Sequence, residues 1–489
     1  MIQSTFRMRS LQRRLLLLTG TGALVGGAWV AEGCSQTPPQ LFSPDTGLPV
    51  FVFDSAPPPV VYADGGPQPV RIVAGSLGGP EASALVVFHD ASGSVTGTTM
   101  TNSDGYAESL LPAGSGVSVL LGNVNVAPSV VTYLGVQPGD LLVAYDPSVV
   151  PNDNALTITD VPSGAPGGSV DFNALTGSNC GSGYFTGSMA MPYPLYTGCL
   201  SPLAQFPVLV EALDINATQL GFVFSKNQTL NLDAGATVDL ADASWSTMQG
   251  MWTVNVLNGS SNPEVTFTEV ASTVPLTTGF FDDQLMPDGG FSPGTFVTHV
   301  GYSDFVQSEA NVQSSNEVGT TFTAIATRSL APMTANGSVT LDLSQLPPTI
   351  DTETADWTTK PAQPTVTFQP GSPINAPVGT VVVLTWYGQS DAGQYTNATW
   401  TIVAPPNLTT ITAPVLPASA VGWTPTNEQG NETVTVTVMS GDGITGYDQF
   451  RQFAGVMPPP NYDYVYNTVV PLLPMNGTLT LTVVGPYIE

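Results

Sequence analysis

The residue types that most often carry catalysis or bind metals are scarce in this sequence, which has 489 residues, two histidines and three cysteines. His89 ends the apolar run VVFH, and His299 lies far downstream in FVTHVGY. A catalytic triad places a basic histidine beside its nucleophile, and a zinc site needs several clustered cysteine and histidine ligands. The sequence contains no GxSxG, SxxK or HExxH motif. We therefore expect both histidines to be structural strand residues, and we predict no catalytic residue and no cofactor.

The acidic group that best suits a calcium ion lies in FDDQLMPDGG. It contains Asp282, Asp283 and Asp288. Calcium loops place oxygen ligands at alternating positions and end in a glutamate, a pattern that these residues do not follow. They are retained as a calcium candidate, with a solvated turn as the alternative.

Paired carboxylates can hydrolyse glycosides when the fold brings two of them together. The 37 acidic residues are scattered along the chain, and the sequence nominates no particular pair. A secreted or surface hydrolase acting on carbohydrate or peptide is kept as the alternative function.

Three tyrosines in NYDYVYN form the one aromatic pattern that suggests binding. In an extended strand, Tyr462, Tyr464 and Tyr466 lie on the same face. Such a row can form a platform for sugar rings or for a partner chain. The alternative is that the tyrosines pack across a neighbouring strand or onto the core.

The N-terminus has the organisation of an export signal. Arginines from Arg7 to Arg14 precede an apolar run from Leu15 to Ala31, and the small residues of Ala31-Glu32-Gly33 follow it. A membrane-spanning anchor is the alternative, but the run is short for a bilayer core that needs about 20 apolar residues. We predict a signal peptide over residues 1–33.

The sequence Ala31-Glu32-Gly33-Cys34 resembles the signal of bacterial lipoproteins, in which a small residue precedes the cysteine that receives the lipid. Glu32 departs from that pattern, as does alanine instead of leucine at Ala31, and cleavage after Gly33 by an ordinary signal peptidase is the alternative. The resemblance implies palmitate-type lipidation of Cys34, and Ser35 then implies retention at the outer membrane. The pair Arg13-Arg14 also resembles a twin-arginine export signal, so the general and the twin-arginine routes both stay open.

The number of cysteines, three, supports this interpretation, because an odd number in an exported protein needs an explanation. In an oxidising compartment Cys180 and Cys199 would most simply form a disulfide, and two buried thiols are the alternative. Cys34 is then left over for the lipid. The stretch over residues 34–67 is rich in proline and reads as an extended tether.

Charge limits the classes of partner. Nine basic residues against 37 acidic ones give a formal net charge of −28. Such a surface repels phosphate backbones, so we expect no nucleic-acid partner. The expected partners are the membrane, through the N-terminal lipid, and an extracellular glycan or protein ligand. A hydrophobic content of 42% is enough for packed cores.

The body of the chain consists of short alternating strands. ETVTVTVM, GTLTLTVV and GSVTLDLS place aliphatic residues on one face and mostly threonine or serine on the other. This period of two predicts half-buried strands with the polar face in water. Turn clusters such as NSDG and SGDG separate the strands, and no amphipathic helix exceeds about two turns. We predict an all-β chain of several antiparallel, Ig-like or transthyretin-like β-sandwich domains in tandem.

One segment carries a family resemblance. Residues 68–122 are similar to carboxypeptidase-regulatory-like, transthyretin-like domains, with the matching residues Thr101, Asn102, Asp104, Gly105, Leu111, Pro112 and Gly114. The resemblance implies a scaffold sandwich over residues 68–150. The remainder resembles uncharacterised surface lipoproteins of the myxobacterial type, divided here into a disulfide-bearing region over 151–350 and a C-terminal sandwich over 351–489. The function expected from the sequence is structural, adhesive or ligand-binding at the cell envelope.

Overall fold

The structure is a computed structural model. It describes residues 40–42, 49–51, 68–76, 79–122, 128–146, 153–160, 165–169, 171–176, 182–186, 192–196, 205–216, 219–229, 236–240, 243–247, 249–258, 265–274, 277–279, 294–299, 306–316, 319–329, 336–389, 395–425, 432–441, 444, 446–454 and 477–485.

The described part of the chain is almost entirely β-structure. Its strands in the first half are β1 Gln40–Phe42, β2 Pro49–Phe51, β3 Val70–Ser76, β4 Gly79–Pro80, β5 Leu85–His89, β6 Val95–Met100, β7 Tyr106–Ser109, β8 Ser115–Leu121, β9 Ser129–Val136, β10 Leu141–Asp146, β11 Asp153–Asp160, β12 Asp171–Thr176, β13 Ser182–Thr186, β14 Pro192–Tyr196, β15 Gln205–Leu213, β16 Gln219–Thr229 and β17 Ala236–Asp239. Those in the second half are β18 Gln249–Leu257, β19 Val265–Val274, β20 Thr277–Gly279, β21 Gly294–His299, β22 Val306–Asn316, β23 Gly319–Ser329, β24 Asn336–Asp342, β25 Ile350–Asp356, β26 Thr365–Pro370, β27 Pro377–Gln389, β28 Tyr395–Ala404, β29 Thr410–Thr412, β30 Thr433–Gly441 and β31 Gly477–Val484.

Helices are short in the same residues. Two 3₁₀ turns span Leu343–Gln345 and Ala418–Trp423, and one α-helix, α1, spans Tyr447–Ala454. The all-β prediction is confirmed, with most strand pairs antiparallel. Four of the described strand pairs are parallel: β3–β10, β11–β17, β18–β24 and β9–β28. Within the residues described, no helix is long and apolar enough to cross a membrane.

A twelve-stranded central sheet organises the fold, in the order β20-β19-β22-β23-β31-β30-β27-β28-β9-β8-β5-β6. Part of it is covered on both faces. One face packs on the first cover sheet, formed by β3, β4, β7 and β10, and on α1. The other face packs on the second cover sheet, formed by β25, β26 and β29. The result is three layers of sheet with two hydrophobic cores between them.

This third layer corrects one expectation from the sequence. Thr435 and Thr437 in ETVTVTVM are buried, as is Thr482 in GTLTLTVV, so the prediction that these threonines face water is wrong. The valines of β30 lie in the core toward the second cover sheet, and its threonines face the first. The alternation in GSVTLDLS is confirmed, because Leu341 and Leu343 are buried beside exposed polar neighbours.

Early and late segments of the described chain share one core. β9 pairs in parallel with β28, from Ser129 opposite Thr399 to Tyr133 opposite Val403. Strands β5, β6, β8 and β9 therefore occupy one sheet with β27, β28, β30 and β31, and both groups contribute to one hydrophobic cluster. The domain boundaries near 150 and 350 stay predictions, but the chain segments on either side of them are not packed in isolation.

The residues of the 68–122 motif build a tight turn against β3. Asn102 Oδ1 accepts hydrogen bonds from the N–H groups of Asp104 and Tyr106, both at 2.9 Å. Gly105 has φ +69°, and a Cβ there would lie 2.2 Å from the Ala74 carbonyl oxygen. Only glycine fits this position, because both the backbone angle and the contact exclude a side chain.

Candidate functional site

Most of the residues predicted from the sequence to form sites lie outside the described residues. These are Cys34, Cys180, Cys199, Asp282, Asp283, Asp288, Tyr462, Tyr464 and Tyr466. Lipidation, the disulfide, the calcium candidate and the tyrosine face therefore stay predictions. His299 is the last residue of β21, and its side chain is not described. The residues that are described hold no group of three or more metal-ligating side chains.

His89 is placed at the end of β5, as expected, and it begins a buried chain of polar groups. Its Nε2 lies 2.9 Å from Ser118 Oγ, which lies 2.7 Å from Thr132 Oγ1. The Trp400 indole N–H donates to the same Thr132 oxygen at 2.8 Å. Because an indole N–H can only donate, the Thr132 hydroxyl accepts from Trp400 and donates to Ser118. The Ser118 hydroxyl in turn donates to His89 Nε2, so each hydroxyl both accepts and donates.

The His89–Ser118 pair has the hydrogen-bond distance of a general base and a nucleophile, but it has no access to a substrate. His89 is 1% exposed and Ser118 is 0% exposed. Burial lowers the pKa of His89 to about 4, while the Gly93 carbonyl and Asp90 act in the opposite direction. The imidazole is therefore neutral at physiological pH, and the chain of hydroxyls links β5, β8, β9 and β28 as a structural network.

A second buried polar group connects α1 to the turn before β10. Arg451 is fully buried, and its Nε and Nη2 donate to Asp140 Oδ2 at 3.0 and 2.8 Å. Its guanidinium also lies 4.6 Å from the centroid of the Tyr447 ring, a cation–π geometry. Asp140 additionally accepts from the Gln137 N–H at 2.7 Å. Burial raises the pKa of Asp140, while Gln137 and Arg451 act in the opposite direction.

Neighbouring contacts fix α1 against the central sheet. The Tyr447 hydroxyl donates to the Leu134 carbonyl at 2.6 Å and lies 3.1 Å from that of Val403. Phe450 is fully buried over Gly379, where a Cβ would come within 2.0 Å of the ring. The helix therefore fastens β9, β10, β27 and β28 together.

Glu353 is a buried carboxyl of a different kind. It lies on the inner face of β25, opposite Phe368 of β26, and is 7% exposed. Among the residues that the structure describes, neither of its carboxyl oxygens has a hydrogen-bond partner. Burial raises its pKa to about 8. The side chain is therefore mostly protonated at neutral pH, because an ionised carboxylate in this position would lose its hydration without compensation.

The outer face of the second cover sheet presents a regular set of hydroxyls. Thr365 pairs with Thr412 and Thr367 with Thr410, with hydroxyl oxygens 3.0 and 3.4 Å apart. Thr354 lies opposite Thr367 on the other side. We call this surface the threonine face; it comprises Thr352, Thr354, Thr365, Thr367, Thr410 and Thr412.

Comparisons with known proteins assign no family. No protein-family model and no curated protein matches the chain. It is 12% identical to the Bacillus anthracis TIE protein, with a TM-score of 0.15, over 56% of this chain and 49% of that one. It is 9% identical to a Ca²⁺-stabilized adhesin with which an Antarctic bacterium binds ice, with a TM-score of 0.11, over 69% of this chain and 98% of that one. It is 8% identical to the chicken CNTN1 FN1–FN3 domains, with a TM-score of 0.13, over 60% of this chain and 89% of that one.

The chain spans about half the length of the TIE structure that it matches. Likeness at these TM-scores carries no argument about relationship or function.

The sequence did not point to the groups that the fold brings together. Ser118 and Thr132 read as ordinary strand residues, and Asp140 and Arg451 stand in unrelated parts of the sequence. One signal was available for Arg451: it is one of only nine basic residues in the chain. A scarce cation in an otherwise acidic chain is a fair candidate for a buried ion pair.

Proposed function

We propose that this chain is a lipid-anchored protein of the bacterial cell envelope with a structural or adhesive role toward an extracellular glycan or protein. It is exported by its N-terminal signal and held at the outer membrane through Cys34. The proline-rich stretch over residues 34–67 holds the β-body away from the lipid surface.

The observation that carries the proposal is that buried polar groups connect separate elements of the fold through hydrogen bonds. His89, Asp140 and Arg451 are each at most 7% exposed. The hydrogen-bond chain from His89 ends at Trp400 of β28, and Arg451 of α1 contacts Asp140 in the turn before β10. These groups rigidify a layered β-body instead of meeting a dissolved substrate. A rigid body in which early and late strands share one sheet suits a protein that bears load or presents a surface.

The threonine face supplies a surface for such contacts. Its threonines are exposed except for half-buried Thr365, and one charged residue, Asp356, lies opposite Thr365. Because the hydroxyls are held on a paired sheet, they can donate and accept hydrogen bonds without reorganising. This arrangement suits the hydroxyl groups of a glycan or the backbone of a protein.

The anchor is tested by metabolic labelling with a palmitate analogue in an expressing bacterium. Wild type and Cys180→Ala are expected to be labelled and recovered with the outer membrane, whereas Cys34→Ala is expected to be unlabelled and released. Equal labelling of wild type and Cys34→Ala would remove the anchor from the proposal.

The role is tested separately with the immobilised full chain on a glycan array, on intact cells and on a panel of glycosidase and peptidase substrates. We expect retention without turnover, and weaker retention for Thr367→Lys than for wild type. Thr340→Lys, an exposed strand threonine on β24, is the matched control. Turnover of a substrate would favour the hydrolase alternative, and a chain that retains nothing would contradict adhesion.

A further inference from the structure

The triplet Asn-x-Ser/Thr, the acceptor sequence for N-linked glycans in exported proteins, recurs along this chain. Its asparagines are Asn216, Asn227, Asn258, Asn336, Asn397, Asn407, Asn431 and Asn476. So short a triplet often arises by chance, and the sequence alone selects none of them. A glycan is bulky and lies on the protein surface, so the fold decides which asparagine can carry it.

Asn407 is presented at a surface turn between β28 and β29. The turn is closed by the Leu408 N–H, which donates to the Pro405 carbonyl at 3.3 Å. Leu408 packs against the core under the second cover sheet, whereas Asn407 and Thr409 are exposed. The Phe368 N–H donates to the Thr409 carbonyl at 3.0 Å and holds the turn beside β26. Within the described part of the chain, neither the Asn407 amide nor the Thr409 hydroxyl makes a hydrogen bond, so both groups of the triplet are available at the surface.

Two other triplet asparagines are exposed, but their amides already bind carboxylates. Asn216 donates from Nδ2 to Asp214 Oδ2 at 3.4 Å. Asn258 donates from Nδ2 to Asp342 Oδ1 at 2.8 Å. Each of these amides must break its hydrogen bond before its nitrogen can attack a sugar. The Asn407 amide has no such bond to break.

Local charge also favours Asn407. The stretch from Pro405 to Thr412 contains no charged residue, although the chain has a net charge of −28. The donor in N-glycosylation is a lipid-pyrophosphate-linked oligosaccharide, which is anionic and is repelled by nearby carboxylates. Asn216 and Asn258 each lie beside an aspartate. The donor can therefore approach Asn407 without a carboxylate bound to the reacting amide.

A neighbouring triplet shows how the fold hides an acceptor. Asn397 lies in β28 opposite Tyr387 of β27, and Thr399 of the same triplet lies opposite Ser129 of β9. Ala398, between them, is buried. Because this strand is paired on both sides, a transferase cannot extract the triplet from the folded protein without breaking strand pairs. Asn397 is therefore an internal reference for the effect of structure.

We propose that Asn407 is an acceptor site for an N-linked oligosaccharide. In the transfer, Asn407 Nδ2 forms a bond to the anomeric carbon of the sugar, and the bond between that carbon and the pyrophosphate oxygen breaks. The lipid pyrophosphate leaves with the electron pair, and the amide loses one proton to a base of the transferase. Nothing is oxidised or reduced. This inference goes beyond the proposed function and relies only on its export step, which brings the chain to the compartment of such donors.

The test incubates the purified full chain with an oligosaccharyltransferase that accepts Asn-x-Ser/Thr and with a lipid-pyrophosphate-linked oligosaccharide, followed by glycopeptide mass spectrometry. Wild type is expected to gain sugar on Asn407. Asn407→Gln and Thr409→Ala are expected to abolish modification of this turn, whereas Thr409→Ser keeps the hydroxyl and is expected to preserve it. Asn258→Gln, on another exposed triplet, is the matched control and is expected to be modified at Asn407 as wild type is.

A proteolytic digest that leaves both triplets intact separates sequence from structure. In the digest Asn397 and Asn407 are both expected to accept sugar, whereas in the folded chain Asn407 accepts it and Asn397 does not. A folded wild type that leaves Asn407 unmodified, modifies Asn397 equally, or modifies Asn216 in its place would overturn the proposal. Circular dichroism of each variant checks that the fold is retained. Because the chain is purified first, the outcome is independent of export and anchoring, which the labelling of Cys34 reports separately.

Discussion

Arg451 of α1 and Asp140, which precedes β10, form a buried ion pair between residues 311 positions apart in the chain. Both Nε and Nη2 of the arginine contact the same carboxylate oxygen, at 3.0 and 2.8 Å. The pair ties the first cover sheet to the helix that follows β30. Formation of this contact therefore requires the early and late segments of the chain to be folded together.

Removing one partner of this pair is expected to destabilise the protein strongly. Arg451→Met leaves the Asp140 carboxyl buried without its counter-charge, and such losses cost about 3–5 kcal/mol. The measurement is urea unfolding of the full chain. The matched control is Asp448→Asn, which removes the mostly exposed second contact of Arg451 and is expected to change stability little, because exposed pairs contribute weakly.

A double-mutant cycle with Asp140→Leu tests whether the ion pair itself causes the loss. The combined Asp140→Leu, Arg451→Met variant is expected to lose less than the sum of the two single losses, since no unpaired charge remains buried. Additive losses would show that the two residues act independently, against the geometry.

His89 is expected to make the protein sensitive to mild acid. Its pKa falls from 6.5 in the unfolded chain to about 4 in the folded one. Above pH 6.5 both states are neutral and the stability is fully present. As pH falls from 6.5 toward 4, His89 becomes protonated in the unfolded state but stays neutral in the folded state. The free energy of unfolding therefore declines by about 3 kcal/mol.

The comparison that isolates this effect is His89→Gln, which keeps a polar side chain but cannot titrate. Unfolding free energies of both proteins, measured from pH 7 to pH 4, are expected to diverge, with the larger decline in wild type. Parallel curves would mean that the histidine does not remain neutral when buried.

Glu353 is expected to have the opposite effect on the pH dependence of stability, which it lowers as the pH rises. Its pKa rises from 4.5 in the unfolded chain to about 8 in the folded one. Below pH 4.5 both states are protonated and the stability is fully present. Between pH 4.5 and 8 the unfolded state releases a proton that the folded state holds, so stability declines by about 1.4 kcal/mol per pH unit.

Glu353→Gln is the corresponding variant, because the amide fills the same space and stays neutral. Thermal unfolding from pH 5 to pH 8 is expected to give a shallower decline for this variant than for wild type, and a higher midpoint at pH 8. Asp351→Asn, on an exposed neighbour in the same strand, is the control and is expected to follow wild type.

The sequence predicted the type of structure better than its layers. Alternation in ETVTVTVM identified a strand, but the same pattern arises whether its threonines meet water or a third sheet. Threonine fits both settings, because its methyl group packs in a core while its hydroxyl hydrogen-bonds on a surface. The burial of Thr435 and Thr437 therefore followed from the topology, which the local pattern does not encode.

Long-range contacts could not be predicted from the sequence for a related reason. His89 was correctly expected at a strand end, yet its hydrogen bond to Ser118 depends on β5 pairing with β8. The bond from Trp400 to Thr132 depends on the parallel β9–β28 pair, which joins residues 268 positions apart. Turn residues were predictable, because Asn102 and Gly105 act through their own local backbone.

Two glycines with positive φ angles separate backbone preference from steric contact. Gly105 has φ +69° and Gly114 has φ +84°, and both were singled out in the 68–122 motif. A Cβ at Gly114 would meet nothing within 4 Å, whereas a Cβ at Gly105 would lie 2.2 Å from the Ala74 carbonyl oxygen. Gly114→Ala is expected to cost about 1–2 kcal/mol, the penalty of the left-handed conformation alone.

Gly105→Ala is expected to cost clearly more than Gly114→Ala, because the turn must also move away from β3 and lose the hydrogen bond from the Ala74 N–H to the Gly105 carbonyl. Urea unfolding of both variants gives the comparison, and hydrogen exchange of the Ala74 amide reports on the bond directly. Equal losses, with the Ala74 amide still protected, would contradict the close approach of this turn to β3.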